Sequence, residues 1–248
     1  MMQAGRNRRR LAGAMLAALG FAIAGAGAAL LYRTAQTGSD VESGNGIRNG
    51  GLSLSETVLN GTTERLGLRA GPRANADELG ALTFLHYALA EAAVGRGDRK
   101  GWIRELLAAR ASARQALALE PTRADVSLAL AEIEFLLHGA GKPADAALEL
   151  SFLTAPRELW IVERRIGLGF KLIATAGPDL RSLVAGDVRA LGQPYRDTSY
   201  YRELARAAYL AGPAAIAFVR GVLATVHEQP LQIFDSDLAQ MEAERARN

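Results

Sequence analysis

The sequence predicts an all-α protein: an N-terminal single transmembrane helix, a polar linker, and a body of amphipathic helices. Three observations carry this expectation. Leu11 to Leu31 are 21 consecutive uncharged residues behind a cluster of arginines; residues 34–51 are rich in Gly, Ser and Asn; and beyond Pro72 apolar residues recur at steps of three and four, with no convincing alternation at period two.

The first element is the span, residues 11–32. At about 1.5 Å per residue, a helix of that length reaches roughly 30 Å, the thickness of a bilayer's hydrocarbon core. Gly13, Gly20, Gly25 and Gly27 would weaken a water-exposed helix, but small residues are common where helices lie in lipid. Arg6, Arg8, Arg9 and Arg10 precede the span and Arg33 alone follows closely. The positive-inside rule makes these arginines the topology signal: residues 1–10 stay in the cytoplasm and the rest crosses a bacterial inner membrane to the periplasm. Small-x-small triplets such as Ala24-Gly25-Ala26 offer a signal-peptidase site. The run continues past them to Tyr32 and Arg33, which favours an uncleaved anchor. Arg8-Arg9-Arg10-Leu11 is a fragment of a twin-arginine pattern whose remainder is missing.

Composition then bounds the exported part. All 26 acidic residues follow Arg33, whereas five of the 29 basic ones lie at or before it, so the body carries a near-neutral charge of about −2. No nucleic-acid partner is expected, because that role needs a basic face to displace counterions. The chain has no cysteine, which excludes disulfides, zinc–thiolate sites and thiol catalysis.

Residues 33–71 read as a flexible linker or arm. TAQTGSDVESGNGIRNGG (residues 34–51) has a tether's composition, and the alternation in LSLSETVL allows a short strand. Helices follow. Trp102, Leu106, Ala109, Ala113 and Ala116 form one apolar stripe; Val126, Ala129, Leu130, Ile133, Leu136 and Leu137 form a second, stopped by Gly139 and Gly141; Leu159, Val162, Ile166, Phe170 and Ile173 form a third, ahead of Gly177-Pro178. Four more helical stretches, LRSLVAGDVRAL, YYRELARAAYL, PAAIAFVRGVLATV and PLQIFDSDLAQM, complete the chain.

ARQALALEPTRADVSLALAEI (Ala113 to Ile133) resembles the junction of two tetratricopeptide (TPR) repeats. Pro156, in ALELSFLTAPRELWIVERRI, follows Pro121 by 35 residues, close to the repeat period of that family. Proline ends one helix and starts the next with its φ preset, and small residues let paired helices approach. The resemblance implies a TPR-like α-α superhelical domain over residues 72–177. Gly167 only approximates Ala131 as the early small residue, and no third proline follows at that spacing. Residues 178–248 leave the pattern and are expected to be a divergent C-terminal helical bundle or cap, covering the last apolar face.

No motif specifies a chemistry. His86, His138 and His227 are far apart and lack a second ligand at helical spacing, so no metal is expected. Asp235 and Asp237, two apart, face different ways on a helix, and a helix N-cap is their ordinary role. There is no phosphate-binding glycine loop and no G-x-S-x-G, and Gly167-Leu168-Gly169 reads as a helix interruption at a close crossing. No cofactor and no catalytic residue is expected. Trp160, Glu163, Arg164 and Arg165 form a candidate partner-binding patch, since Trp and Arg anchor interfaces; the alternative buries Trp160 and solvates the charges. Tyr195, Tyr200 and Tyr201 either face a partner or seal the cap.

An anchor followed by exported TPR-like helices resembles accessory proteins of envelope polysaccharide synthesis and export. It resembles less closely the single-span TPR subunit that accompanies the Sec translocon. The resemblance implies a non-catalytic scaffold with protein partners in the cell envelope. An all-α enzyme acting on a cell-wall or lipid-linked glycan is the alternative, with Glu132 and Glu134 as carboxylates that do not share a face. Homo-oligomerisation through the Gly/Ala span is a third reading, in which replacing Gly20 or Gly27 by Leu weakens oligomers.

Overall fold

The computed structural model describes residues 38–48, 54–69, 74–156, 158–192, 199–226 and 228–247, and every regular element among them is helical. The arginines Arg6, Arg8, Arg9 and Arg10, the 11–32 span, Pro72, Tyr195 and His227 lie outside the described residues. Among the described residues no helix is long and apolar enough to cross a membrane.

The expected linker holds two helices. The described residues 38–48 are helical and are labelled α1, and Glu56–Arg69 form α2, where a flexible arm or short strand was expected. The misleading signal is the alternation Leu52, Leu54, Val58. The residues that α2 buries are Leu59, Thr62 and Leu66, spaced by three and four on one helical face. Leu59 and Leu66, together with Val41 and Ile47 of α1, pack on Ala81, Leu82, Leu85 and Leu89. Tertiary packing outweighs the weak helix propensity of the Gly- and Ser-rich sequence.

α3 (Ala76–Gly95) starts at a capping box, in which the Asn75 side chain accepts from the Glu78 amide at 2.9 Å and the Glu78 carboxylate accepts from the Asn75 amide at 3.0 Å. Gly97, at φ +71°, turns the chain into α4 (Arg99–Leu119), capped by Asp98. α5 (Ala124–His138) ends at Gly139, with φ +79°. α6 (Lys142–Thr154), α7 (Leu159–Leu172), α8 (Pro178–Leu191), α9 (Ser199–Ala211), α10 (Pro213–Leu223) and α11 (Glu228–Arg247) follow.

The expected stripe of α4 is the buried one, through Leu106, Ala109, Ala113 and Ala116. On α5 the buried surface is wider than the expected stripe: Val126, Ala129 and Ile133 of the stripe are buried, Leu128 and Ala131 beside it are buried too, and Leu136 is exposed. Gly167-Leu168-Gly169 does not interrupt α7. The close crossing is at Gly169, where a Cβ would lie 2.8 Å from a methyl of Val184 on α8, whereas a Cβ on Gly167 would meet nothing.

α3 packs with α4, α5 with α6 and α7 with α8; α4 also meets α5, α6 meets α7, and α3, α5 and α7 are successive neighbours. One apolar cluster runs continuously from α5 to α11, so the C-terminal helices share the core of the pairs before them. Phe170 of α7 meets Phe218 of α10 edge-on at 6.5 Å, and Phe234 and Leu238 bring in α11. Tyr201 is buried and Tyr200 packs against this cluster, which seals the start of α9.

Candidate functional site

The three neighbouring helices α3, α5 and α7 each turn a second, partly polar stripe toward a common groove. Helical periodicity sets these stripes: Phe84, Tyr87 and Glu91 on α3; Glu132, Phe135 and Leu136 on α5; Trp160, Glu163, Arg164, Gly167 and Lys171 on α7. Two clefts open along the groove. The larger, about 480 Å³, lies between α3 and α7 and is closed on one side by Ile47 and Arg48 of α1. The smaller, about 170 Å³, lies between α5 and α7, and Tyr87 and Arg164 line both.

Arg164 is the polar hinge of the site. It donates to the Glu132 carboxylate at 2.8 Å and to the backbone carbonyl of Arg48 at 3.2 Å. Arg48 in turn donates to Asp125 at 3.1 Å, and its guanidinium lies 5.4 Å from the centre of the Trp160 ring. The Trp160 indole donates to Glu158 at 2.6 Å, which fixes the ring while leaving it 48% exposed. Lys171 lies over the Phe135 ring at 5.9 Å.

Burial, opposed by Arg164 and Lys171, leaves the Glu132 carboxyl raised above the usual range. Glu91, at the exposed rim, is also raised by desolvation, with Arg164 opposing. Burial pushes the Tyr87 phenol up, and Glu132 and Glu91 add to the shift. Burial would raise Asp125 too, but bonds from Arg123 and Arg48 outweigh it and hold that carboxyl below its ordinary value. The groove therefore combines aromatic faces with the ion pairs Arg164–Glu132 and Arg48–Asp125. Such a surface suits recognition of a chain segment that brings both apolar and polar groups.

Trp160, Glu163 and Arg164 of the candidate patch meet at the larger cleft, but Arg165 does not. It is fully buried, donates to Asp187 and to the carbonyls of Ser151 and Ala155, and lies 4.5 Å from the Phe152 ring centre. One residue is 100° of helical rotation, enough to turn Arg165 from the groove into the core. Trp160 is half-exposed and Arg165 buried, against the alternative that placed the indole inside and the charges outside, whereas Glu163 is exposed as that alternative has it and Arg164 is partly buried. Phe84, Tyr87 and Glu91 were missed, although their spacing of three and four was visible; apolar neighbours on every side of α3 hide that stripe.

The remaining candidates fall elsewhere. His86 pairs with Glu105 at 2.8 Å and His138 with Glu134 at 3.1 Å. Among the described residues no group of three or more potential ligands could hold a metal. Glu134 is buried against Arg114 and Arg110 of α4, on the far side of α5 from Glu132. Asp235 and Asp237 sit inside α11, not at an N-cap, and reach different helices, Asp235 to Arg220 and Asp237 to Arg202.

No family model, no curated protein and no solved structure matches this chain.

Proposed function

We propose that the chain is a non-catalytic scaffold of the bacterial cell envelope, in which residues 11–32 anchor TPR-like helix pairs to the inner membrane and present them to the periplasm. The groove of α3, α5 and α7 is its recognition surface, for protein partners in polysaccharide synthesis or export. One observation carries this reading: the first helices of three successive pairs lie side by side, all three lining the smaller cleft and α3 and α7 lining the larger. The packing order, in which each second helix also meets the first helix of the next pair, supports the TPR-like reading. The hydrophobic N-terminal run and its arginines support the anchor.

The test places a photo-crosslinking residue at Glu163 in the full-length chain within its native membrane. Capture of glycosyltransferase, polymerase or exporter components is the expected result. Capture of the translocon with diverse exported clients moves the protein to secretion and folding, and an absence of groove-dependent capture sinks the scaffold reading.

A second reading, catalysis on a cell-wall or lipid-linked glycan, draws on the raised carboxyls of Glu132 and Glu91 beside the cleft. Turnover of such a glycan that disappears in Glu132→Gln supports it; an inert purified chain sinks it.

A further inference from the structure

The chain beyond Arg33 is close to neutral, yet its positive charge gathers on one helix. α4 carries Arg99, Lys100, Arg104, Arg110 and Arg114 against a single carboxylate, Glu105. At 100° per residue, Lys100, Arg104, Arg110 and Arg114 all fall within about 60° either side of Leu107, whereas Glu105 falls about 160° away. Ile103, Leu107 and Ala111 stand exposed on the same arc, and the buried stripe of Leu106, Ala109, Ala113 and Ala116 lies about 100° or more from its centre. The outer face of α4 is therefore cationic and partly apolar, with no acidic residue of its own.

The neighbouring carboxylates do not neutralise it. Arg104 pairs with Glu105 at 2.9 Å and Arg114 with Glu134 at 2.7 Å, while Arg110 lies 3.8 Å from the same Glu134. Two carboxylates thus serve three guanidinium groups, and His86 and His138 draw on the same two. Arg104 and Arg114 keep more than half of their side-chain surface in solvent, and exposed Lys100 has no ion-pair partner among the described residues.

This face is separate from the groove. α4 lines neither cleft, and it reaches α5 through Glu134, 200° round that helix from Glu132. A surface held on α4 leaves the groove open.

We infer that the outer face of α4 is a second binding surface, which rests on the phosphate headgroups of an anionic lipid bilayer. From Lys100 to Arg114 the cations run along about 21 Å of helix, a line and not a pocket, and a fluid sheet of phosphates meets such a line at every turn. Ile103, Leu107 and Ala111 offer little apolar area, so the contact is shallow: they touch the acyl boundary while the long stems of lysine and arginine extend to the phosphates. The choice of lipid over an acidic protein segment rests on the proposed anchor at residues 11–32, because a tethered domain meets its own membrane at high effective concentration.

The chain has no cysteine, so a spin label on Ala111→Cys, exposed in the middle of the arc, reports on this face alone. The full-length chain is reconstituted into vesicles of phosphatidylcholine with about one-third phosphatidylglycerol, or of phosphatidylcholine alone. In the anionic vesicles the label is expected to lose contact with a water-soluble nickel relaxant and gain contact with oxygen. In the neutral vesicles, and at Glu163→Cys in either, it is expected to stay in water. Lys100→Gln with Arg104→Gln is expected to lower the ratio of docked to free label about thirtyfold, each cation contributing about fivefold, on an unchanged unfolding curve. Raising salt from about 0.1 to about 0.5 M is expected to release the label in the same way. Should the chain prove to have no anchor, the same vesicles are added to it and the label is read as before. A label that stays in water beside anionic lipid overturns the inference, as does equal shielding by neutral lipid. Shielding by added poly-glutamate but not by lipid assigns the face to an acidic protein segment and overturns it too. The two readings fail separately: lost crosslinking at Glu163 with the label still in the headgroups counts against the scaffold, and retained crosslinking with the label in water counts against the lipid surface.

Discussion

Arg165 and Asp187 face each other inside the core, with Nε to Oδ2 at 3.1 Å and Nη2 to Oδ1 at 3.2 Å, and the arginine has no exposed surface. The same guanidinium donates to the Ser151 and Ala155 carbonyls, so it also terminates α6. One side chain thus ties α6, α7 and α8 together.

Removing one partner should cost far more than removing both. Arg165→Met leaves a buried carboxylate without its counter-charge and is expected to lower stability by about 3–5 kcal/mol, whereas the double variant Arg165→Met with Asp187→Leu is expected to recover most of the loss. Urea unfolding followed by circular dichroism measures both. The pair also sets a pH dependence. Burial, against the pull of Arg165, pushes the Asp187 carboxyl up to about 6 from an ordinary 3.8. Because the folded value is the higher one, the folded state holds a proton that the unfolded chain has released in that window. Stability from this group is complete below about pH 4 and is lost as pH rises through about 6, by about 3 kcal/mol. Asp187→Asn is expected to flatten that slope; an unchanged slope would falsify the assignment to Asp187.

Two glycines on α7 are expected to respond with opposite signs. Gly167→Ala meets open space inside a helix and should stabilise by about 0.5–1 kcal/mol. Gly169→Ala drives a methyl against buried Val184 and should destabilise by about 1–3 kcal/mol. Thermal unfolding of the two variants side by side decides whether α7 and α8 touch at Gly169.

These glycines also show how far the sequence could be read. That GLG marks a close crossing was legible, but which glycine faces the neighbour depends on a rotation of 200° between them, which composition does not record. Half that rotation, 100°, separates Arg164, in the groove, from Arg165, in the core, although the two read as one charged patch. Amphipathic helices such as α4 were legible because polar and apolar residues segregate cleanly around them. α1 was not, because its Gly- and Ser-rich sequence has a tether's composition and Arg48's partners lie 77 and 112 residues away.

The start of α3 positions one wall of the larger cleft. Its capping box predicts a local cost: Asn75→Ala removes an acceptor for the Glu78 amide and is expected to lower stability by about 1 kcal/mol. Asn75→Ser keeps an acceptor and is expected to stay within a few tenths of wild type. Equal losses in the two variants, by denaturant unfolding, would show that the side-chain bond contributes nothing.

Trp160 offers the sharpest separation of binding from folding. Its ring is 48% exposed at the mouth of the groove, its indole donates to the local Glu158, and its face meets the partly buried Arg48 guanidinium at 5.4 Å. Truncation should therefore leave the core intact. Trp160→Ala is expected to keep the wild-type unfolding curve to within about 1 kcal/mol, as surface changes do. As an exposed aromatic anchor, it is expected to weaken a partner held at Glu163 by about thirtyfold, the roughly 2 kcal/mol of an interface hot spot. Arg165→Met provides the contrast, since it changes the core and should lower stability first. Matched losses of crosslinking and stability in Trp160→Ala would mean that the indole supports the fold; lost crosslinking on an unchanged unfolding curve would place it in the partner's site.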